Sequence, residues 1–434
     1  MEEAGYPSFV LYLILLIGIP LALNKPFKAF LLVTFILASA NAHAFTFTRT
    51  EFLGPFFNAN DACLLIVLIA MLPYKFRRTK QIQFPKVTIW IIVVLLIGFV
   101  QSWFVMGPTY EALRALRWAI NLPVYFIIAA TMVDRKEKVW PLLLALFFGS
   151  ALSAIEHFFF VQEKAGMYGM VFRHIRTIAF QSPGVFFVVA SLIWIPKLKE
   201  KDKLLLIGGC VLFVISILLN QTRSVWLSTV AVFPIALLVF KQKNIDVKLI
   251  VLPIVIVALF FSIFIVTALI APELDLFKMV MERFLNVETS VSTIKRLGSL
   301  KLELLEWSGG TLIFGRGLSY FDKYGQSVIE LISWGHLGHV TTLAQLGIIG
   351  LVVYSFYLPA TIIKSSRKLW EQATDEIKFL ALLTGSSMIW YWICFLMSSS
   401  FLGQYPLAGI MFGAVWRQST LIETDRAVKK RKYY

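Results

Sequence analysis

Charge is scarce in this chain: only 15% of the 434 residues are Asp, Glu, Lys or Arg, while 58% belong to the hydrophobic set and the mean hydropathy is +0.77. A soluble domain carries about 25% charged residues, so the composition excludes an ordinary soluble enzyme and points to a bilayer. Cysteine is also scarce. The three thiols, Cys63, Cys210 and Cys394, each fall within an apolar stretch, which excludes a disulfide framework and shows no metal-ligand spacing. There is no CxxC, no HExxH, no Walker-type GxxxxGK and no GxGxxG, and Gly315-Arg316-Gly317 reads as a turn rather than a nucleotide fingerprint. Acidic residues are outnumbered 25 to 41, a formal charge of +16. In a soluble protein that excess would suggest nucleic acid; in a membrane protein it asks on which side the excess sits.

A helix needs about 20 mainly apolar residues to cross the hydrocarbon core. Such stretches occur near 7–24, 28–47, 56–74, 87–106, 113–133, 139–160, 179–196, 204–220, 224–240, 249–271, 340–363, 379–397 and 401–416. The expected fold is therefore an all-α polytopic membrane protein with about 12–13 transmembrane helices. The first, ninth and last of these are the shortest or most polar and are the expected places for a broken or re-entrant helix. The loops at 24–28, 75–86, 134–138, 197–203, 241–248, 364–378 and 417–434 hold 27 of the 41 basic residues but only 10 of the 25 acidic ones. By the positive-inside rule they are cytoplasmic, which puts the N-terminus outside. Met-Glu-Glu-Ala-Gly has no basic n-region, so the first segment is expected to remain as a span. The tail Lys429-Lys430-Arg431-Lys432 is expected to touch anionic membrane lipids, and no nucleic-acid partner is expected.

The chain thus divides into helices 1–10 over residues 1–271, a long outer loop over 272–339, helices 11–13 over 340–416 and a basic cytoplasmic tail over 417–434. The loop stands out by its length, since loops of this size are usually functional or structured. Residues 275–306 have the apolar spacing of amphipathic helix, Gly309-Gly310 break it, and 311–314 lead into the Gly315-Arg316-Gly317 turn. Almost no charge falls at mid-span, where an ion-coupled transporter places carboxylates or broken helices. Instead the ionisable groups form a layer on the outer side: Glu111, Arg114 and Arg117; Glu156-His157; Arg173, His174 and Arg176; Arg223; Lys295-Arg296; Arg316; His336 and His339. Ionisable residues at the membrane are candidate functional groups. Arginine holds phosphate bidentately and stays charged, and histidine exchanges a proton near neutral pH. The simpler readings are an Arg114–Glu111 pair, a His157 that only packs, and an Arg223 that anchors a helix end. His43 and Asp61 are given no role.

Three patches resemble the O-antigen ligase and O-antigen polymerase superfamily, membrane glycosyltransferases that use polyprenyl-pyrophosphate-linked glycans. Arg176-Thr-Ile-Ala179-Phe-Gln-Ser-Pro183-Gly184 is similar to the family's Arg-x-x-Gly followed by Pro-Asn, with Ala179 and Gly184 departing from it. Leu219-Asn220-Gln221-Thr222-Arg223-Ser224 is similar to its Thr-x-Ser-Arg-Gly element, with Thr222 in place of Ser. Arg296, Phe314-Gly315-Arg316-Gly317, His336 and Gln345-Leu-Gly347-Ile-Ile-Gly350 resemble, in order, its long periplasmic loop and the following span. His336 stands eleven residues before Gly347, the family's His spacing, with Leu337 where the family has Asn and Gln345 where it has Glu.

The resemblance implies transfer of a glycan from undecaprenyl pyrophosphate to an acceptor hydroxyl at the periplasmic face of the bacterial inner membrane. The acceptor class it implies is a glycan, lipid A core or another hydroxyl carrier. His336 is the expected base, with Arg176, Arg223 and Arg296 gripping the diphosphate, Arg117 and Arg316 as weaker candidates, and His339 and Arg173 as secondary ones. No cofactor is expected. With no cluster of outer carboxylates, metal-independent chemistry is expected too. A polymerase joining lipid-linked repeat units is the nearest alternative, and a flippase for lipid-linked glycan or a non-enzymatic scaffold lie further off.

Overall fold

A computed structural model of the protein describes residues 8–39, 57–76, 82–106, 110–165, 184–194, 200–219, 223–240, 300–301, 304–305, 307–309, 311–318, 338–396 and 405–432. Of these, 90% are helical and none forms a strand. The helices are α1 (Ser8–Asn24), α2 (Pro26–Ser39), α3 (Ala59–Phe76), α4 (Lys86–Met106), α5 (Tyr110–Ala119), α6 (Asn121–Met132), α7 (Val139–Ala165), α8 (Gly184–Trp194), α9 (Glu200–Leu219) and α10 (Arg223–Val239). After the long loop come α11 (Gly338–Leu351), a π-helical segment (Val352–Tyr357), α12 (Leu358–Gln372), α13 (Asp375–Phe395) and α14 (Pro406–Lys432).

Among the described residues, five stretches are long and apolar enough to cross a membrane: Lys86–Val105, Ala115–Met132, Lys136–Glu156, Gly338–Gln372 and Asp375–Phe395. The shorter helices α1, α2, α3, α9 and α10 carry apolar segments of 10–17 residues at expected span positions. Perimeter residues fit a hydrocarbon solvent: Phe104 is 80% exposed and Leu238 78%, which water would penalise as a continuous surface. The tenth expected span, 249–271, lies outside the described residues.

Local sequence explains the helix starts and kinks. Asn58 caps α3, its Oδ1 accepting the Asn60 and Asp61 amides at 3.0 and 3.3 Å, while Asp61 accepts the Asn58 amide at 2.7 Å. This reciprocal box satisfies N–H groups that a helix start otherwise leaves orphaned. The expected span 113–133 is divided at Ile120, where Pro123 lacks the N–H that would bond the Ala119 carbonyl. α14 continues as helix through the basic segment to Lys432. Lys368 of α12 helps hold that extension by pairing with Glu423 and donating to the Ser419 carbonyl at 2.8 Å.

α13 lies at the centre, packed by α8, α10, α12 and α14. Trp390 donates to Thr229 at 3.1 Å and meets Phe186 edge-on, while Tyr391, Phe395 and Tyr405 form an adjoining aromatic cluster. α14 runs against α6 at very short range. A Cβ on Gly409 would fall 2.5 Å from the Leu122 carbonyl oxygen, and one on Gly413 would fall 2.3 Å from that of Phe126. Small residues four apart allow this backbone approach, the usual means of joining helices where no hydrophobic gradient separates lipid from protein.

Candidate functional site

The Phe314-Gly315-Arg316-Gly317 turn and the Gln345-Leu-Gly347-Ile-Ile-Gly350 stretch lie thirty residues apart in the chain and interlock in the structure. α11 is broken at Gly347, whose φ of +66° and ψ of −166° lie in a region that only glycine occupies at low cost. In an unbroken helix the Ala344 and Gln345 carbonyls would accept the amides of Ile348 and Ile349. Here those carbonyls accept the amides of Arg316 and Gly317 at 2.8 and 2.9 Å. The released Ile348 and Ile349 amides donate to the Leu312 and Ile313 carbonyls at 3.1 and 3.3 Å. Two helical bonds are thus exchanged for four bonds to the turn. This is how a broken helix persists without leaving polar groups bare.

Glycine is required on both sides of the contact. Gly315 and Gly317 have φ of +72° and +101°, so the three positive-φ glycines among the described residues meet at one place. A Cβ on Gly315 would lie 2.5 Å from the Gln345 carbonyl group, and one on Gly317 would lie 2.5 Å from the Ser102 amide nitrogen. The turn is closed internally by the Gly315 amide on the Thr311 carbonyl at 2.7 Å and the Thr311 hydroxyl on the Gly315 carbonyl at 2.6 Å. Gln345 donates its side-chain amide to the Leu318 carbonyl at 3.1 Å, and the Leu318 amide bonds the Gly98 carbonyl of α4 at 3.2 Å. Gln101 reaches Thr311 at 3.3 Å and the Trp307 indole donates to the Leu312 carbonyl at 3.0 Å. Arg316 is carried on this rigid frame, with one guanidinium nitrogen 3.2 Å from where a Gly309 Cβ would stand.

His339, at the start of α11, is fully engaged. Its Nε2 lies 2.9 Å from the Trp392 carbonyl, which can only accept, so Nε2 carries the proton. Nδ1 of the neutral ring then accepts from the Ser355 hydroxyl at 2.6 Å. The Trp392 indole returns a bond to the Ser355 carbonyl at 2.9 Å, and the imidazole packs against Trp392 and Phe395. Ser355 lies in the π-helical segment, whose wider turn changes the carbonyl pattern of an ordinary helix. His339 is therefore a strut between the π-helical segment and α13, and an acid/base role would cost it one of these bonds.

Arg117 is also committed. Its guanidinium makes a two-point contact with Asp61, with Nε to Oδ1 at 2.8 Å, and so ties α5 to the capping box of α3. Asp61, expected to have no role, is its partner. A separation of 56 positions hides the pair from any local pattern. The backbone of Arg223 opens α10, as expected. Arg173, Arg176, Arg296 and His336 lie outside the described residues, as does most of the expected amphipathic stretch 275–306, whose described residues at 300–301 and 304–305 are helical. Among the described residues no three His, Cys, Asp or Glu side chains gather as a metal site requires.

No protein-family model matches the sequence, and no curated protein matches it. Of the proposed arginines among the described residues, Arg316 is carried by the interlocked turn, Arg117 is paired with a carboxylate, and Arg223 stands at a helix start. Sequence reading located both halves of the frame but not their contact. The contact rests on backbone bonds, which side-chain identity encodes only through the glycines.

Proposed function

We propose that the chain is an O-antigen ligase-like membrane glycosyltransferase, moving a glycan from undecaprenyl pyrophosphate to an acceptor hydroxyl at the periplasmic face of the inner membrane. The observation that carries this reading is the interlock of Phe314–Gly317 with Gln345–Gly350. These are two elements of the patch on which the resemblance rests, and their mutual fit supports reading them as one site rather than two chance matches. In this account the chain has 12–13 spans with the 272–339 loop outside, and His336 stands just ahead of α11.

The chemistry asked of the site is modest because the donor is already activated. The acceptor oxygen attacks the anomeric carbon, the bond from that carbon to the diphosphate oxygen breaks, and the acceptor proton passes to His336. The released diphosphate takes the electron pair, and Arg176, Arg223, Arg296 and Arg316 hold its charge. Removing one such charged donor costs about 2–4 kcal/mol in the transition state. Arg117 contributes less here, being paired to Asp61.

The test is turnover by purified protein in lipid with an undecaprenyl-pyrophosphate glycan and a hydroxyl acceptor. Substitution His336→Ala is expected to lower turnover by at least a hundredfold with folding retained, and undiminished turnover removes the residue from the reaction. A polymerase uses the same grip and base. Its mark is a deletion strain that accumulates single unpolymerised repeats, whereas loss of a ligase leaves long carrier-linked chains.

A further inference from the structure

The turn at 311–318 belongs to a segment that its position between spans assigns to the aqueous exterior. We propose instead that it is a re-entrant element inserted in the bilayer, with Leu312, Ile313 and Phe314 in contact with lipid hydrocarbon. The turn lies at membrane depth on both sides. The turn bonds α4 at Gly98 and Gln101 and packs on Ser102, between three and seven residues short of the Val105 end of that span. At 1.5 Å per residue this is roughly 5–10 Å below the span's end. On the other side the turn docks at Ala344–Ile349, four to nine residues into the apolar stretch at 340–363, or roughly 6–14 Å. Both values fall within a hydrocarbon core about 30 Å thick.

The turn also presents an apolar surface. Leu312, Ile313 and Phe314 are 47%, 53% and 39% exposed, three consecutive apolar side chains facing outward. The spanning helix adjoins the turn. The Ile348 amide bonds the Leu312 carbonyl, and Ile348, Val352 and Phe356, four residues apart, are all exposed large apolar side chains on the same run of helix. A lipid-facing stripe beside the turn makes lipid the occupant, since an aqueous tip adjoining that stripe would leave about a third to a half of each of these three side chains in water.

Much of the turn's backbone is bonded to protein. Irregular chain is tolerated at membrane depth only where its polar groups are satisfied by protein. The carbonyls of Thr311, Leu312, Ile313, Gly315 and Leu318, and the amides of Gly315, Arg316, Gly317 and Leu318, are all bonded to protein groups. Nine of the sixteen backbone groups of residues 311–318 are thus held by protein. The inference does not depend on the glycosyltransferase reading and survives its failure.

Nitroxide labels on Ile313→Cys and Phe314→Cys in the full-length protein in lipid nanodiscs test it, read by collision with molecular oxygen against a water-soluble nickel chelate. The native thiols are buried and label poorly. Phe104→Cys, on the lipid face of α4, and Thr374→Cys, in the exposed turn before α13, serve as references. Labels at 313 and 314 are expected to match the oxygen-dominated behaviour of position 104. Nickel-dominated relaxation like that at 374 overturns the proposal. For the unsubstituted protein, a diazirine carried on a lipid acyl chain is expected to modify residues 312–314 as well as α4, and modification of α4 with none at 312–314 also overturns it.

Discussion

Gly347→Ala tests the interlock at its narrowest point. An alanine Cβ at this position would lie 2.1 Å from the Ile313 carbonyl oxygen, far inside van der Waals contact, and the φ of +66° with ψ of −166° is closed to L side chains. The turn cannot stay docked. Once it leaves, α11 can close over residues 344–349 and recover two helical bonds for the four that are lost. The net loss of two bonds is worth about 1–3 kcal/mol. Leu318, which is buried, loses its contact with α4, worth a further 1.5–3 kcal/mol or so. The sum, about 3–6 kcal/mol, corresponds to a shift of at least a hundredfold between docked and free turn. Hydrogen exchange by mass spectrometry reads it directly: the amides of Arg316, Gly317 and Leu318 are expected to exchange at least a hundredfold faster, while α13 is unchanged. Gly208→Ala, with nothing near its Cβ, is the matched control and should be neutral or slightly stabilising. Protection at 316–318 within threefold of the parent protein refutes the reasoning.

Other consequences follow from single contacts. Gly413→Leu forces α14 off α6, where even a Cβ meets the Phe126 carbonyl at 2.3 Å, and is expected to cost about 1–3 kcal/mol, read as a lowered midpoint of thermal unfolding in detergent. A double-mutant cycle on Asp61→Asn and Arg117→Gln should give a coupling of about 1 kcal/mol, since the contact is two-pointed but partly exposed, and zero coupling would make it incidental. His339→Phe keeps the ring packing against Trp392 and Phe395 and deletes both hydrogen bonds. It should cost about 1–3 kcal/mol of stability by leaving the Ser355 hydroxyl and the Trp392 carbonyl without the imidazole, while altering turnover far less than His336→Ala.

Most of the helix positions were legible because the bilayer imposes one signal, a long apolar run, and α1 to α4, α7, α9, α10 and α13 lie close to where that signal put them. The break was not. Shortness and polarity pointed to residues 7–24, 224–240 or 401–416, whereas among the described residues the expected spans that divide are 113–133, at Ile120, and 340–363, at Gly347. Glycine is common in spanning helices, so Gly347 carries no signal of its own; it breaks α11 because a turn thirty residues earlier offers four better hydrogen bonds. The Gly315-Arg316-Gly317 turn was legible from its glycines, but its depth and its contact with α4 were not. The same holds for Asp61 and Arg117, two charges at helix ends that only the packing of α3 against α5 and α6 brings together. The helical course of 417–432 follows from the lack of any helix breaker between Ala414 and Lys432.

The central claim is that the chain forms a covalent product from a lipid-linked glycan. Purified protein in proteoliposomes, given undecaprenyl pyrophosphate carrying a labelled glycan and a hydroxyl acceptor, should yield a new glycosidic bond with one undecaprenyl pyrophosphate released per bond formed. Labelled donor crossing the membrane intact, with no product and no released carrier, contradicts it.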